Sequence, residues 1–115
     1  MSAAVPRETE AGFQKAVIDL AHLHGWMVAH FRPAQTRAGK WVTPVAADGA
    51  GFPDLVLVHD DHVLFRELKT EKGRVSVAQM HWIDALELAG ADAGVWRPGD
   101  WPEIEATLAV NRGRA

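Results

Sequence analysis

The chain has 115 residues, 48% hydrophobic and 23% charged, with a formal net charge of −3, a makeup that suits one compact domain over residues 1–115 with its own core. The absence of cysteine excludes a disulfide framework, a thiolate metal cluster and a cysteine nucleophile, and the mildly acidic balance argues against a surface that grips polyanions indiscriminately, though not against a local basic groove. No stretch reaches the roughly 20 apolar residues of a membrane span, and MSAAVPRETE lacks the apolar core of a signal peptide, so a soluble, cytoplasmic protein without a membrane partner is expected.

Between Thr9 and Gly25 the apolar residues Phe13, Ala16, Val17, Leu20 and Ala21 recur at helical spacing, and Gly25 is a natural stop. Glu10 stands at the head of this helix on the inward-facing stripe. It suits the positive end of the helix macrodipole, and equally a site at the edge of the core. WMVAHFR, residues 26 to 32, reads as a strand, with His30 and Arg32 on one face. Residues 33 to 51 read as a long loop punctuated by Pro33, Gly39, Pro44, Gly49 and Gly51, with a short strand expected near KWVTPVA. Arg32, Arg37 and Lys40 cluster there and are candidates for contacting nucleic acid, with Trp41 available either for stacking or for packing on the core.

Residues 52 to 58 and 63 to 69 are apolar runs separated by HDDH, the pattern of a β-hairpin turning at Asp60 and Asp61, with His59 and His62 expected as exposed turn residues. Ser76 followed by Gln79 is a capping box and opens a helix with apolar positions Met80, Trp82, Ile83, Ala85 and Leu86, ending at Gly90. ADAGVWRP reads as a strand, Asp100 with Glu103 as a further cap signal, and EIEATLAV as a last helix. Trp26, Trp82 and Trp96 are expected as core or interface anchors. The order helix, strand, hairpin, helix, strand, helix gives an α/β fold, a small mixed β-sheet flanked by helices.

The hairpin has a chemical consequence. A turn at Asp60 and Asp61 sets Val58 opposite Val63, Val56 opposite Phe65 and Asp54 opposite Glu67, with Cβ atoms of opposed residues about 4.5 to 5.5 Å apart on one face. Two acids so placed repel each other, and burial beside Val56 and Phe65 adds a desolvation penalty, so a positive charge is expected between them. Magnesium suits such an oxygen-only pair. Strand alternation sends Lys69 to the same face as Glu67, while Arg66 and Leu68 face away.

Pro53-Asp54, followed after an interval by Glu67-Leu68-Lys69, resembles the PD-(D/E)XK nuclease signature. GFPDLVLV, ELKTEKGR, a following helix with Gln79, and VWRP resemble its VRR-NUC branch in particular. The resemblance runs roughly from Glu10 to Trp101. It implies a restriction-endonuclease-like αβββαβ core and Mg2+-dependent cleavage of DNA, with Mn2+ able to substitute. It further implies that Asp54, Glu67 and Leu68 hold the metal, that Lys69 assists the attacking water, and that Glu10 and Gln79 complete the site from the first and second helices. Gln79 is equally the partner required by the Ser76 capping box. Small relatives of this kind act on branched DNA such as Holliday junctions, some as homodimers. The competing expectations are a nucleic-acid-binding module that does not cut, and a nuclease subunit active only within a larger assembly.

Overall fold

The computed structural model describes residues 9–31, 34–35, 37–42 and 45–109, with the side chains of 34, 35, 41 and 42 left aside. Helix α1 covers Glu10–Leu23, and β1 covers Met27–His30. Two short strands, β2 at Ala34–Gln35 and β3 at Trp41–Val42, pair with each other apart from the main sheet. Strands β4 (Leu55–His59) and β5 (His62–Leu68) form the expected hairpin, followed by α2 (Val77–Leu88), β6 (Asp92–Trp96), a 3-10 turn at Pro98–Asp100 and α3 (Trp101–Leu108). The main sheet has the order β1-β4-β5-β6. Its first three strands are antiparallel and β6 is parallel to β5, reached through α2, so the sheet is mixed.

Local chemistry accounts for the boundaries. Thr9 caps α1, its hydroxyl accepting the Gly12 N–H at 3.0 Å, and the helix ends before Gly25, whose φ of +87° disfavours any residue with a side chain. Asp60 at the hairpin turn takes φ +53°, a conformation Asp tolerates better than most residues. The register of β4 against β5 pairs Val56 with Phe65 and Val58 with Val63, as the turn position requires.

One face of the sheet carries Leu55, Leu57, Leu64 and Leu68, which meet Phe13, Val17 and Ala21 of α1 and Ile104 and Leu108 of α3 in a continuous core closed by Trp26 and Trp96. Trp26 donates Nε1–H to the Leu108 carbonyl at 2.8 Å, joining the end of α3 to the start of β1. The other face receives α2. That helix buries only Ile83 fully, and Val77, Met80 and Leu88 stand exposed, so its apolar residues are less committed to the core than their number suggests.

Several expectations change. His59 and His62 are half-buried, their rings 5.4 and 6.4 Å from the Trp26 ring, because the turn folds back over the start of β1. Asp100 precedes α3 without capping it; its carboxylate accepts the Arg97 N–H at 2.8 Å and closes the 3-10 turn instead. Arg32 lies outside the described residues, as does the Trp41 side chain.

Candidate active site

The face of β4 and β5 opposite the leucines carries Val56, Phe65, Glu67 and Lys69. The ladder between the two strands stops at Leu55 paired with Arg66, so Asp54 lies one residue beyond it and is not a ladder partner of Glu67. Pro53 explains the stop. It would face Leu68 in the next hydrogen-bonded pair, but a proline has no N–H to give. The Leu68 N–H donates instead to Asp54 Oδ2 at 3.1 Å, and the Asp54 carbonyl accepts the Phe31 N–H at 2.8 Å. Asp54 is thus anchored to β5 by its side chain and to the end of β1 by its backbone.

Glu67 is 2% exposed. Its Oε2 accepts the Gln79 Nε2–H at 2.9 Å and lies 3.7 Å from Lys69 Nζ. Gln79 serves both roles that its position allowed. Its Oε1 accepts the Ser76 N–H at 2.8 Å, completing the capping box, and that bond turns its NH2 group toward Glu67. Glu67 Oε1 is buried with no hydrogen-bond partner among the described residues. Burial above all, and then the neighbouring Asp54 charge, push the Glu67 carboxyl up to about 8, offset only in part by Lys69.

Lys69 is held from behind. Its N–H donates to the Trp96 carbonyl at 3.0 Å, and the turn after it is clasped by Arg97, whose Nη1 donates to the carbonyls of Thr70 at 2.6 Å and Gly73 at 2.8 Å. No local sequence signal marks Arg97 as an organiser of this turn. Only the parallel placement of β6 beside β5 brings it there.

Glu10, Asp54, Glu67, Lys69 and Gln79 line a single cavity of about 540 Å³. Glu10 enters from the exposed first turn of α1, its Oε2 accepting from Gln14 at 3.1 Å. Among the described residues no three carboxylate or imidazole side chains converge to hold a metal, so Glu10 shares the cavity without joining Asp54 and Glu67 in one cluster. Leu68 turns its side chain into the core and can contribute to this site only through its main chain. Arg37 and Lys40 are exposed and do not line the cavity.

The rest of the wall comes from residues that sequence reasoning did not select. Phe31 and Phe52 line it with Val45, Ala46, Gly49, Ala50 and Gly51 of the long loop. That loop is fastened to α2: Trp82 donates Nε1–H to the Asp48 carbonyl at 2.9 Å, and a Cβ added at Gly51 would lie 2.6 Å from the Ala78 carbonyl carbon. Gly51, with φ +85°, is required by both the close approach and the backbone conformation.

An acid pair and a lysine in a cavity, beside a proline that ends the ladder, is the arrangement that a PD-(D/E)XK signature implies. Residues 14–98 match the VRR-NUC domain. The chain belongs to the VRR-NUC family. Membership implies a nuclease-type function with DNA as the substrate class. The VRR-NUC match includes Asp54, Glu67, Lys69 and Gln79 and begins after Glu10. No curated protein and no solved structure matches the chain. No helix among the described residues is long and apolar enough to cross a membrane.

Proposed function

We propose that this VRR-NUC protein is a Mg2+-dependent endonuclease that hydrolyses DNA phosphodiester bonds. The supporting observation is the state of Glu67, a buried carboxyl beside a second one, with one oxygen unpartnered among the described residues and a raised proton affinity, facing a cavity large enough for a phosphodiester. Lys69 offsets the charge of the two acids only in part, and hard oxygen donors of this kind fit a magnesium or manganese ion. Asp54 and Glu67 would hold the ion. The Leu68 carbonyl would join them, since ladder alternation aims it at Pro53, which has no N–H to offer. A bound divalent cation supplies Lewis-acid polarisation of the phosphoryl group and acidifies water.

The protein's own residues do the rest. Lys69, its side chain half-buried at the cavity wall, stabilises negative charge as it builds on the phosphoryl oxygens and helps orient the attacking water. Gln79 holds Glu67 in one rotamer, and the Leu68 N–H does the same for Asp54, so that neither carboxylate has to reorganise when substrate arrives. Glu10 supports the site from α1.

Branched DNA as the preferred substrate and a homodimer as the working unit belong to the same proposal. A chain of this size offers little surface to a long duplex, and two copies would present two cutting sites to two strands. The test is a panel of single-stranded, duplex, nicked, flapped and four-way DNA, with and without Mg2+ or Mn2+, for the wild type and Asp54→Ala. Cleavage confined to the wild type with metal is expected, strongest on the branched forms. Cleavage that persists in chelator overturns metal dependence. Tight binding without products points to a module that binds and does not cut.

A further inference from the structure

Phe31 is a large aromatic side chain, 46% exposed, on the wall of the same cavity that holds the acid pair and Lys69. Its backbone is tied to the acid site, the Phe31 N–H donating to the carbonyl of Asp54 at 2.8 Å. Its ring is braced. It meets Phe52 at 5.8 Å and an 81° interplanar angle, and Phe52 in turn meets Trp82 at 5.1 Å and Phe65 at 6.1 Å, both near perpendicular. Val45, 53% exposed, adds a second apolar surface to the same cavity. A ring packed edge-on against Phe52 therefore stands open to the space in which Glu67 and Lys69 present their charges.

We infer that Phe31 is a stacking platform for an unpaired nucleobase adjoining the phosphate that occupies the acid–lysine site. The inference rests on the nuclease reading and deepens it by naming the substrate feature selected. The occupant follows from the chemistry of the cavity. With a divalent cation on its acids, as the nuclease reading requires, its charged end suits a phosphodiester, and within one nucleotide of any phosphate lies a flat base whose face matches an aromatic ring. Inside a continuous duplex both faces of each base are covered by its neighbours, so a base reaches Phe31 only where stacking is interrupted, at a flap, gap, junction or single strand. Every base has such a face, so the platform selects interrupted structure, not sequence.

The test is a cycle between Phe31 and the base, read by binding so that it does not depend on cleavage. A fluorescent flapped DNA is made with an abasic site at each position near the flap base in turn, and its affinity in Mg2+ is measured by anisotropy for Lys69→Ala protein with Phe31 intact or replaced. With Phe31 intact, loss of one particular base weakens binding roughly five- to 150-fold. In Phe31→Ala the same loss changes binding by less than about twofold, because the partner is already gone. Phe31→Trp keeps the coupling and Phe31→Leu, which retains apolar bulk without a π face, loses it; these two variants decide the matter if Phe31→Ala folds poorly. Losses that multiply independently at every position, or coupling retained in Phe31→Leu, overturn the platform. Wild-type cleavage is scored separately. Coupling without cleavage removes the nuclease reading alone, and cleavage without coupling removes the platform alone.

Discussion

Arg66 and Glu67 are neighbours on β5, both buried, one basic and one acidic, on opposite faces of the sheet. Arg66 lies among the core residues and is fully engaged: Nη2 donates to Asp92 Oδ1 at 2.7 Å, Nη1 to the carbonyls of Asp92 and Phe65 at 3.0 Å each, and the guanidinium sits 4.7 Å from the centre of the Trp96 ring. Glu67 has an amide and a more distant ammonium on one oxygen, nothing among the described residues on the other, and Asp54 pressing its charge upward. A buried charge is stable where its partners are built in. The face where they are incomplete is the face that lines the cavity, which is where we propose that a cation binds.

That contrast breaks most sharply at the acids. Asp54→Ala is expected to abolish metal-dependent cleavage with little loss of melting temperature, whereas Leu57→Ala on the core face costs about 2–5 kcal/mol of stability and leaves turnover per folded molecule intact. Thermal unfolding beside cleavage assays checks the pair, and equal stability losses would erase the distinction between the faces. Lys69→Ala should lower turnover about 10²- to 10³-fold while metal affinity, followed by calorimetry, largely survives. Equal loss of both would move the lysine from transition state to metal holding. Gln79→Ala should cost roughly 10- to 100-fold in metal affinity or activity, as outer partners of ligands do, in addition to a small loss from the broken capping box.

A separate effect is on pH dependence without metal. Between its ordinary value of 4.5 and about 8, Glu67 stays protonated in the folded protein and ionises in the unfolded chain, so the folded state holds the extra proton and stability falls as pH rises through that window. Glu67→Gln should flatten that decline in chelator. Added magnesium at the upper end should restabilise the wild type and not the variant. A wild-type stability that rises over the same window would contradict the burial of an uncompensated carboxyl.

Much of this architecture follows from short-range signals. The Asp60-Asp61 turn sets the β4–β5 register, and Ser76 with Gln79 starts α2, because turn and cap chemistry act over two to four residues. Parity then sends Glu67 and Lys69 to one face and Leu68 to the other. The ladder's end is a different matter: the turn register extends to Asp54 opposite Glu67, yet Pro53 stops the ladder first and the Asp54 carboxylate takes the Leu68 N–H. The packing of His59 and His62 on Trp26, and the engagement of Arg66 by Asp92, join segments whose meeting no local pattern encodes.

Taken by themselves, the residues determined the order of elements, the hairpin register and the kinship carried by Pro53-Asp54 and Glu67-Leu68-Lys69, since each depends on periodicity or on groups close along the chain. Only tertiary structure decided which carboxylate oxygen is left unpartnered, how Arg97 clasps the turn behind Lys69, and that Phe31 opens onto the acid site. Burial and hydrogen bonding at those points are set by strands and helices far apart in sequence, and their energies exist only once the segments have met.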